Sequence, residues 1–246
     1  MTGASRGIGR AVARAFADQG DRVAVHHRDS APLASEVVAS LAGGAAAGHA
    51  VVQADLADPE AVRRMVDEAQ ERLGGLDVLV NNAGIYVAHP ITEVSYDEWQ
   101  RQWQATLGVN LIGAANVTWC AVRHMVAAGG GRIVNVSSRG AFRGEPGQPA
   151  YGASKAGLNA LGQSLARALA PHGIAIATVA PGYVETDMTT EHLAGPSGGR
   201  IRAESPFGRV AQPEEIAAAV LYLASPKAEW ASGTIVDLNG ASYLRP

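Results

Sequence analysis

Short apolar runs alternate with helical patterns along the whole of this chain, and that alternation limits its fold more than any other feature. Runs suited to strands lie near 22–27, 49–54, 76–81, 132–138, 174–180 and 234–238; helical periodicity covers 6–19, 31–42, 59–73, 95–127, 149–170 and 213–224. Strands that alternate with helices form a parallel sheet covered on both faces. A length of 246 residues suits one α/β domain, able to bury roughly three quarters of its unfolded surface. No repeat, linker or low-complexity tail divides it. The one long irregular segment, 186–213, is rich in Gly, Pro, Ser and Arg, as active-site lids often are.

Composition removes several classes of function. The net charge is −3 with scattered basic residues, so no nucleic-acid partner is expected. The single cysteine, Cys120, forms no intramolecular disulfide and suits a reducing, cytoplasmic compartment. No contiguous apolar run reaches the roughly 18 residues of a membrane span, no secretory signal is visible, and no metal site is expected.

Chemistry is concentrated in Pro149-Ala-Tyr-Gly-Ala-Ser-Lys-Ala-Gly157. Only two of the 20 basic Lys and Arg residues are lysines, Lys155 and Lys227. Lys155 follows Tyr151 by four positions, which puts both on one helix face. An ammonium there favours the phenolate and lowers the phenol's pKa from its usual value near 10. Ser138 ends the apolar run that begins at Arg132, and the carboxyl ends of strands are where open α/β sheets place ligands. Strand alternation turns the adjacent Ser137 away. Thr2-Gly-Ala-Ser-Arg-Gly-Ile-Gly9 is a glycine-rich turn opening into a helix, which lets backbone N–H groups approach a pyrophosphate. Leu79-Val-Asn-Asn-Ala-Gly84 ends another strand in an amide pair and a glycine.

In this order and spacing, these pieces resemble the short-chain dehydrogenase/reductase family, nearest its 3-oxoacyl-carrier-protein reductase branch. The resemblance runs from residue 2 to about residue 240 and includes the Pro181-Gly182 turn. It implies a single Rossmann-type doubly wound domain, with a cofactor half at about 1–130 and a catalytic and substrate half at about 131–246. One departure stands out. Family members carry a short apolar strand ahead of the glycine-rich turn, whereas this sequence begins at Met1-Thr2. The expectation is a shortened form in which the strands at 22–27 and 76–81 lose a common ladder partner, at a cost of kilocalories per mole.

The resemblance also implies roles. Tyr151 would give the proton to a ketone oxygen, and Ser138 would donate a hydrogen bond to the developing oxyanion. Lys155 would lower the phenol's pKa and hold the nicotinamide ribose, and Asn110 would order a water relaying protons to that lysine. The cofactor would lie on Thr2, Gly3, Ser5, Arg6, Gly7, Ile8 and Gly9, on Asn82, Ala83 and Gly84, and on Pro181, Gly182, Val184 and Thr186. Asp55 and Leu56 would contact adenine, although Asp55 also suits a turn-capping role.

NAD-specific relatives end the second strand with a carboxylate that binds ribose hydroxyls. Here His27 takes that place and Arg28 follows. With Arg6 in reach, these residues suit a 2′-phosphate, so NADP(H) is expected ahead of NAD(H), with NAD(H) still open. Asp29 lies one position too late and is expected to face solvent.

The expected substrate is a small carbonyl compound or alcohol, in particular a 3-oxoacyl thioester. Gly129 and His172 stand where carrier-protein reductases of this branch have arginines, which weakens carrier-protein docking. Arg139 and Arg143 could select an anionic substrate, make subunit contacts or face water. A homotetramer built on the 95–127 and 149–170 helices is implied. Two alternatives stay open: a dehydrogenase working mainly in the oxidative direction, and a non-catalytic NADP-sensing protein.

Overall fold

Local signals start and stop the helices near their expected ends. In the computed structural model, which describes residues 1–245, α3 (Pro59–Leu73) begins behind Asp58, whose carboxylate accepts the N–H groups of Glu60 and Ala61. It ends at Gly74, in left-handed backbone that glycine adopts without steric cost. The other elements before the midpoint are α1 (Gly7–Asp18), β1 (Ala24–His27), α2 (Ala31–Ser40), β2 (Ala50–Gln53), β3 (Val78–Asn81), α4 (Tyr96–Leu107) and α5 (Ala114–Ala128). After it come β4 (Gly131–Val136), α6 (Gly140–Arg143), α7 (Pro149–Leu169), β5 (Ile174–Pro181), α8 (Thr190–Ala194), α9 (Gly198–Ala203), α10 (Pro213–Leu223) and β6 (Ile235–Leu238).

Two expectations are corrected. The helix expected at 95–127 is broken by a π-helical turn, Gly108–Gly113, where Gly113 presses so close to Leu56 that a Cβ would stand 2.7 Å from its carbonyl oxygen. Counted as one helix, Tyr96–Ala128 is apolar and long enough to cross a membrane by length and composition. Here its Val117, Ala121 and Met125 are buried in the core with α3. The segment 186–213 is likewise less irregular than expected, since it contains α8 and α9, whose Leu193 and Ile201 pack with Val210.

All strand pairs are parallel, but the sheet is divided: β1 pairs with β2, while β3, β4, β5 and β6 follow in order. Residues Met1 to Ala4 stitch the two pieces together at their carboxyl ends. The Met1 carbonyl accepts His26 N–H at 3.2 Å, and Thr2 N–H donates to Val80 O at 3.0 Å. Below this stitch is a slot of about 300 Å³ between β1 and β3, lined by Val23, Ala24, Val78, Met65, Val117 and Phe16 among others. The Met1 ammonium lies at its inner end, donating to Ala24 O at 3.2 Å, and burial lowers its pKa from 8.0 to about 6. The expected loss of a shared partner is thus visible as a gap. Helices α3, α5 and α7 cover one face of the sheet; α1 and α10 pack on the other, where α2 joins α1.

Candidate active site

The carboxyl ends of the strands open into a cleft of about 540 Å³. Its floor is the glycine-rich turn. Gly3 has φ +62°, and a Cβ on Gly9 would stand 2.1 Å from Gly3 O and 2.8 Å from Asn82 Nδ2, so only glycine fits there. No side chain caps the N-terminus of α1 at Arg6, which leaves first-turn N–H groups and positive dipole facing the cleft. Gly3, Ser5, Arg6, Gly7, Ile8, Gly9, His27, Arg28, Asp55, Leu56, Asn82, Ala83 and Gly84 all line this cleft, as do Ser138, Tyr151, Lys155, Pro181, Gly182, Val184 and Thr186.

Two expected site residues lie outside it. Thr2 is buried, and its hydroxyl accepts N–H from Asn82 at 2.9 Å and from Ala83 at 3.1 Å. It braces the turn rather than facing a ligand. Asn110 sits in the π-helical turn, which aims its amide at the chain after β3. Its Oδ1 accepts Ile85 N–H at 2.8 Å, and its Nδ2 donates to Ile85 O at 3.0 Å and Ser154 Oγ at 3.2 Å. A Cβ on Gly84 would lie 3.4 Å from Asn110 Oδ1 and 3.5 Å from Lys155 Nζ. The bare glycine therefore leaves a gap between amide and ammonium.

Helix α7 carries Tyr151 and Lys155 on the face turned to β4. Lys155 Nζ donates to Val136 O at 2.8 Å and lies 5.7 Å from the centre of the Tyr151 ring. Burial drives the two groups apart in acidity: Lys155 falls to about 8, while Tyr151 rises to about 12 although the nearby Ser138 hydroxyl acts the other way. The expected lowering of the phenol is therefore reversed in this structure, because desolvation of a phenolate outweighs its neighbours. Ser138 Oγ also accepts Gly140 N–H at 3.0 Å. Ser137 is buried and donates to the Lys155 carbonyl at 3.2 Å; contrary to the expectation from alternation it lines the same cleft as Ser138, because β4 ends at Val136 and the pleat does not extend through the two serines.

The adenosine end is more mixed. Arg28 Nε pairs with Asp29 at 2.5 Å, so Asp29, although exposed, is not merely facing solvent. His27 Nδ1 is buried with no hydrogen-bond partner among the described residues. His26 was not anticipated. Its Nδ1 accepts Gly3 N–H at 3.0 Å, and its Nε2 donates to Ala54 O at 3.1 Å. Burial takes its pKa down to about 4, so it acts as a neutral brace under the turn. Asp55 Oδ1 accepts Ala57 N–H at 2.9 Å, the turn-capping role that had stayed open.

Other residues near the acid also escaped the sequence. Tyr86 meets the Tyr151 ring edge-on at 4.8 Å. His89 is fully buried; its Nδ1 donates to Val87 O at 2.8 Å and its Nε2 accepts Ala150 N–H at 3.2 Å, tying the chain after β3 to the start of α7. No sequence signal singles out either residue, because their partners are distant in the chain. Arg139 is neither water-facing nor available to a substrate. It is buried and paired with Glu204, and Arg143 reaches the same carboxylate at 3.2 Å.

A family model described as enoyl-(acyl carrier protein) reductase matches residues 3–240. An uncharacterized oxidoreductase of Methylorubrum extorquens is 38% identical over 98% of this chain and 95% of its own. The 3-oxoacyl-[acyl-carrier-protein] reductase FabG of Staphylococcus aureus is 37% identical over 99% of this chain and 97% of its own. Among solved structures, a short chain dehydrogenase from Burkholderia cenocepacia in complex with NADP has a TM-score of 0.87 at 36% identity, covering 98% of this chain and 96% of that one. A dehydrogenase/reductase from Sinorhizobium meliloti reaches 0.88 at 33%, covering 99% and 94%. The chain belongs to the short-chain dehydrogenase/reductase family. It is accordingly an NAD(P)-dependent oxidoreductase of Rossmann fold.

Proposed function

We propose that this protein reduces a ketone to a secondary alcohol with NADPH, the substrate being a 3-oxoacyl thioester or a similar small carbonyl compound. The observation that carries this reading is the convergence of Ser138, Tyr151 and Lys155 on one cleft floored by a glycine turn that no side chain could share. The open N-terminus of α1, Arg6 and the unpartnered His27 Nδ1 fit a phosphorylated dinucleotide. When bound, the nicotinamide supplies the hydride. Tyr151 holds the proton that the carbonyl oxygen must gain, and the upward shift of its pKa keeps it protonated at neutral pH, as ketone reduction requires. Ser138 stabilises charge developing on that oxygen. Lys155 binds ribose hydroxyls, and Asn110 holds the chain after β3 beside the gap at Gly84, where a relay water would sit.

Arg6 and Arg28 favour NADP(H) over NAD(H), because a dianionic phosphate displaces Asp29 from Arg28 more readily than a neutral hydroxyl would. The thioester class is suggested by the relatives named as carrier-protein reductases, although Gly129 and His172 provide no basic docking side chains. A cytoplasmic homotetramer packed through the 95–127 and 149–170 helices completes the reading, and Ile112 and Trp119 are exposed on the first of these.

The test is a ketone panel that includes acyl thioesters, assayed with NADPH and NADH on the wild type and on Tyr151→Phe. Turnover that falls at least about 100-fold in the variant, with little change in NADPH affinity, is expected from loss of the acid alone. Tyr151→Phe retaining more than a few per cent of activity would remove Tyr151 from that role. NADPH binding without oxidation across the whole panel would favour the sensing alternative.

A further inference from the structure

Arg139 follows Ser138 directly, yet its side chain points away from the cleft and is only 3% exposed. A buried guanidinium needs partners, and this one finds them in segments far apart in sequence. Its Nη2 donates to Glu204 and its Nη1 donates to Ser242 Oγ at 2.5 Å. The guanidinium also lies 5.1 Å from the centre of the Tyr183 ring, and its backbone N–H donates to Pro181 O at 2.9 Å. Glu204 closes α9, inside the segment 186–213 whose first residues, Thr186 to Thr189, line the cleft. On its own side, Arg139 is the N-cap of α6. Its carbonyl accepts the N–H groups of Phe142 at 3.0 Å and Arg143 at 3.2 Å, in the same turn where Gly140 N–H holds Ser138 Oγ at 3.0 Å.

Resting on the ketone-reductase reading above, we propose that Arg139 is a positioning residue for Ser138, and that its pair with Glu204 latches the 186–213 segment onto the turn that carries Ser138. Docking of this segment over the cleft and placement of the oxyanion donor are then one event. The planar guanidinium suits the task because it offers donors in two directions while stacking on a ring, which an ammonium cannot do. Arg143 reaches Glu204 from the more exposed side and contributes less, as expected of a solvent-screened partner.

The experiment is a mutant cycle read at a temperature well below every variant's melting midpoint. Arg139→Met should lower kcat about tenfold through misplacement of Ser138, with the NADPH dissociation constant changed less than about threefold. In a Ser138→Ala background the same replacement should cost less than about twofold, since groups acting as a unit are not additive. Arg139→Lys should restore only part of kcat, and Arg143→Met should change it less than about threefold. A purely structural role would lower stability without this dependence on Ser138. Equal kcat losses from Arg139→Met in both backgrounds would overturn the proposal.

Should Arg139→Met not fold, Glu204→Gln keeps an acceptor of the same shape and carries the same cycle. Limited proteolysis of the NADPH-saturated protein supplies a readout independent of turnover. Cleavage within 186–213 should rise about tenfold in Glu204→Gln, and an unchanged rate would overturn the latch. A wild type that binds NADPH but reduces no ketone would defeat the ketone-reductase reading instead, and the proteolysis result alone would then decide the latch.

Discussion

Filling the slot between β1 and β3 should stabilise the protein and tighten cofactor binding together. The perturbation is a chain in which Val-Ala-Leu-Val stands directly ahead of Thr2, behind a new initiator methionine. In the present structure, Met1 occupies only the carboxyl end of the slot, and about 300 Å³ beside the amino ends of β1 and β3 holds no chain. Each apolar side chain inserted contributes about 1.5–3 kcal/mol, and each new backbone hydrogen bond about 1 kcal/mol. Ordering costs about 2 kcal/mol per residue. The net gain for the segment is on the order of 5 kcal/mol, against a typical total of about 5–15. For a domain of this size that raises the melting midpoint by about 10–20 °C.

Cofactor affinity should follow, because Thr2 and Gly3 hang from this segment and hold the turn against Asn82, Ala83 and His26. The pH dependence adds a second signature. Burial disfavours the charged Met1 amine, taking its pKa from 8.0 to about 6, so the present chain loses stability as pH falls from about 8 through 6. In the extended chain that amine leaves the slot, and this part of the dependence disappears. Circular dichroism melts and NADPH titrations on both chains, with a Ser-Asp-Gly-Asp extension as control, measure all three effects. Equal midpoints and equal dissociation constants for the 246-residue and apolar-extended chains would refute the reasoning and mean that the slot closes by itself.

Arg28→Asp with Arg6 intact should raise the Michaelis constant for NADPH and favour NADH, since a carboxylate repels a phosphate and accepts ribose hydroxyls; an unchanged NADPH/NADH ratio would exclude Arg28 from the phosphate site. Gly9→Ala should abolish measurable cofactor binding and cost several kcal/mol of stability, checked by titration and melting, because the new Cβ would stand 2.1 Å from Gly3 O. Lys155 is charged below its lowered pKa of about 8 and neutral above it, so kcat/KM for ketone reduction should fall as pH rises through about 8. A profile flat to pH 9.5 would detach activity from this lysine.

The order of elements, the parallel sheet and most of the cleft lining follow from local sequence, because strand runs, helix periods and glycine-rich turns are set by neighbouring residues. Gly9 illustrates this: its place in a glycine-rich turn marks it before any contact is known. Tyr151 and Lys155 share a helix face by their spacing alone, whereas strand parity does not separate Ser137 from Ser138, since both line the cleft beyond the end of β4. Tertiary structure decided whatever depends on desolvation or on partners distant in the chain. The spacing of Tyr151 and Lys155 implies a lowered phenol pKa, yet burial raises it, because desolvation depends on every element packed around the ring. Arg139 reads as a surface or substrate-facing cation until Glu204, 65 positions away, closes on it. Thr2 and Asn110 sit within recognisable motifs, but only their hydrogen bonds to Asn82, Ala83 and Ile85 mark them as braces of the site rather than lining of the cleft. Such roles arise where chain segments meet, and a linear pattern carries no record of which segments those will be.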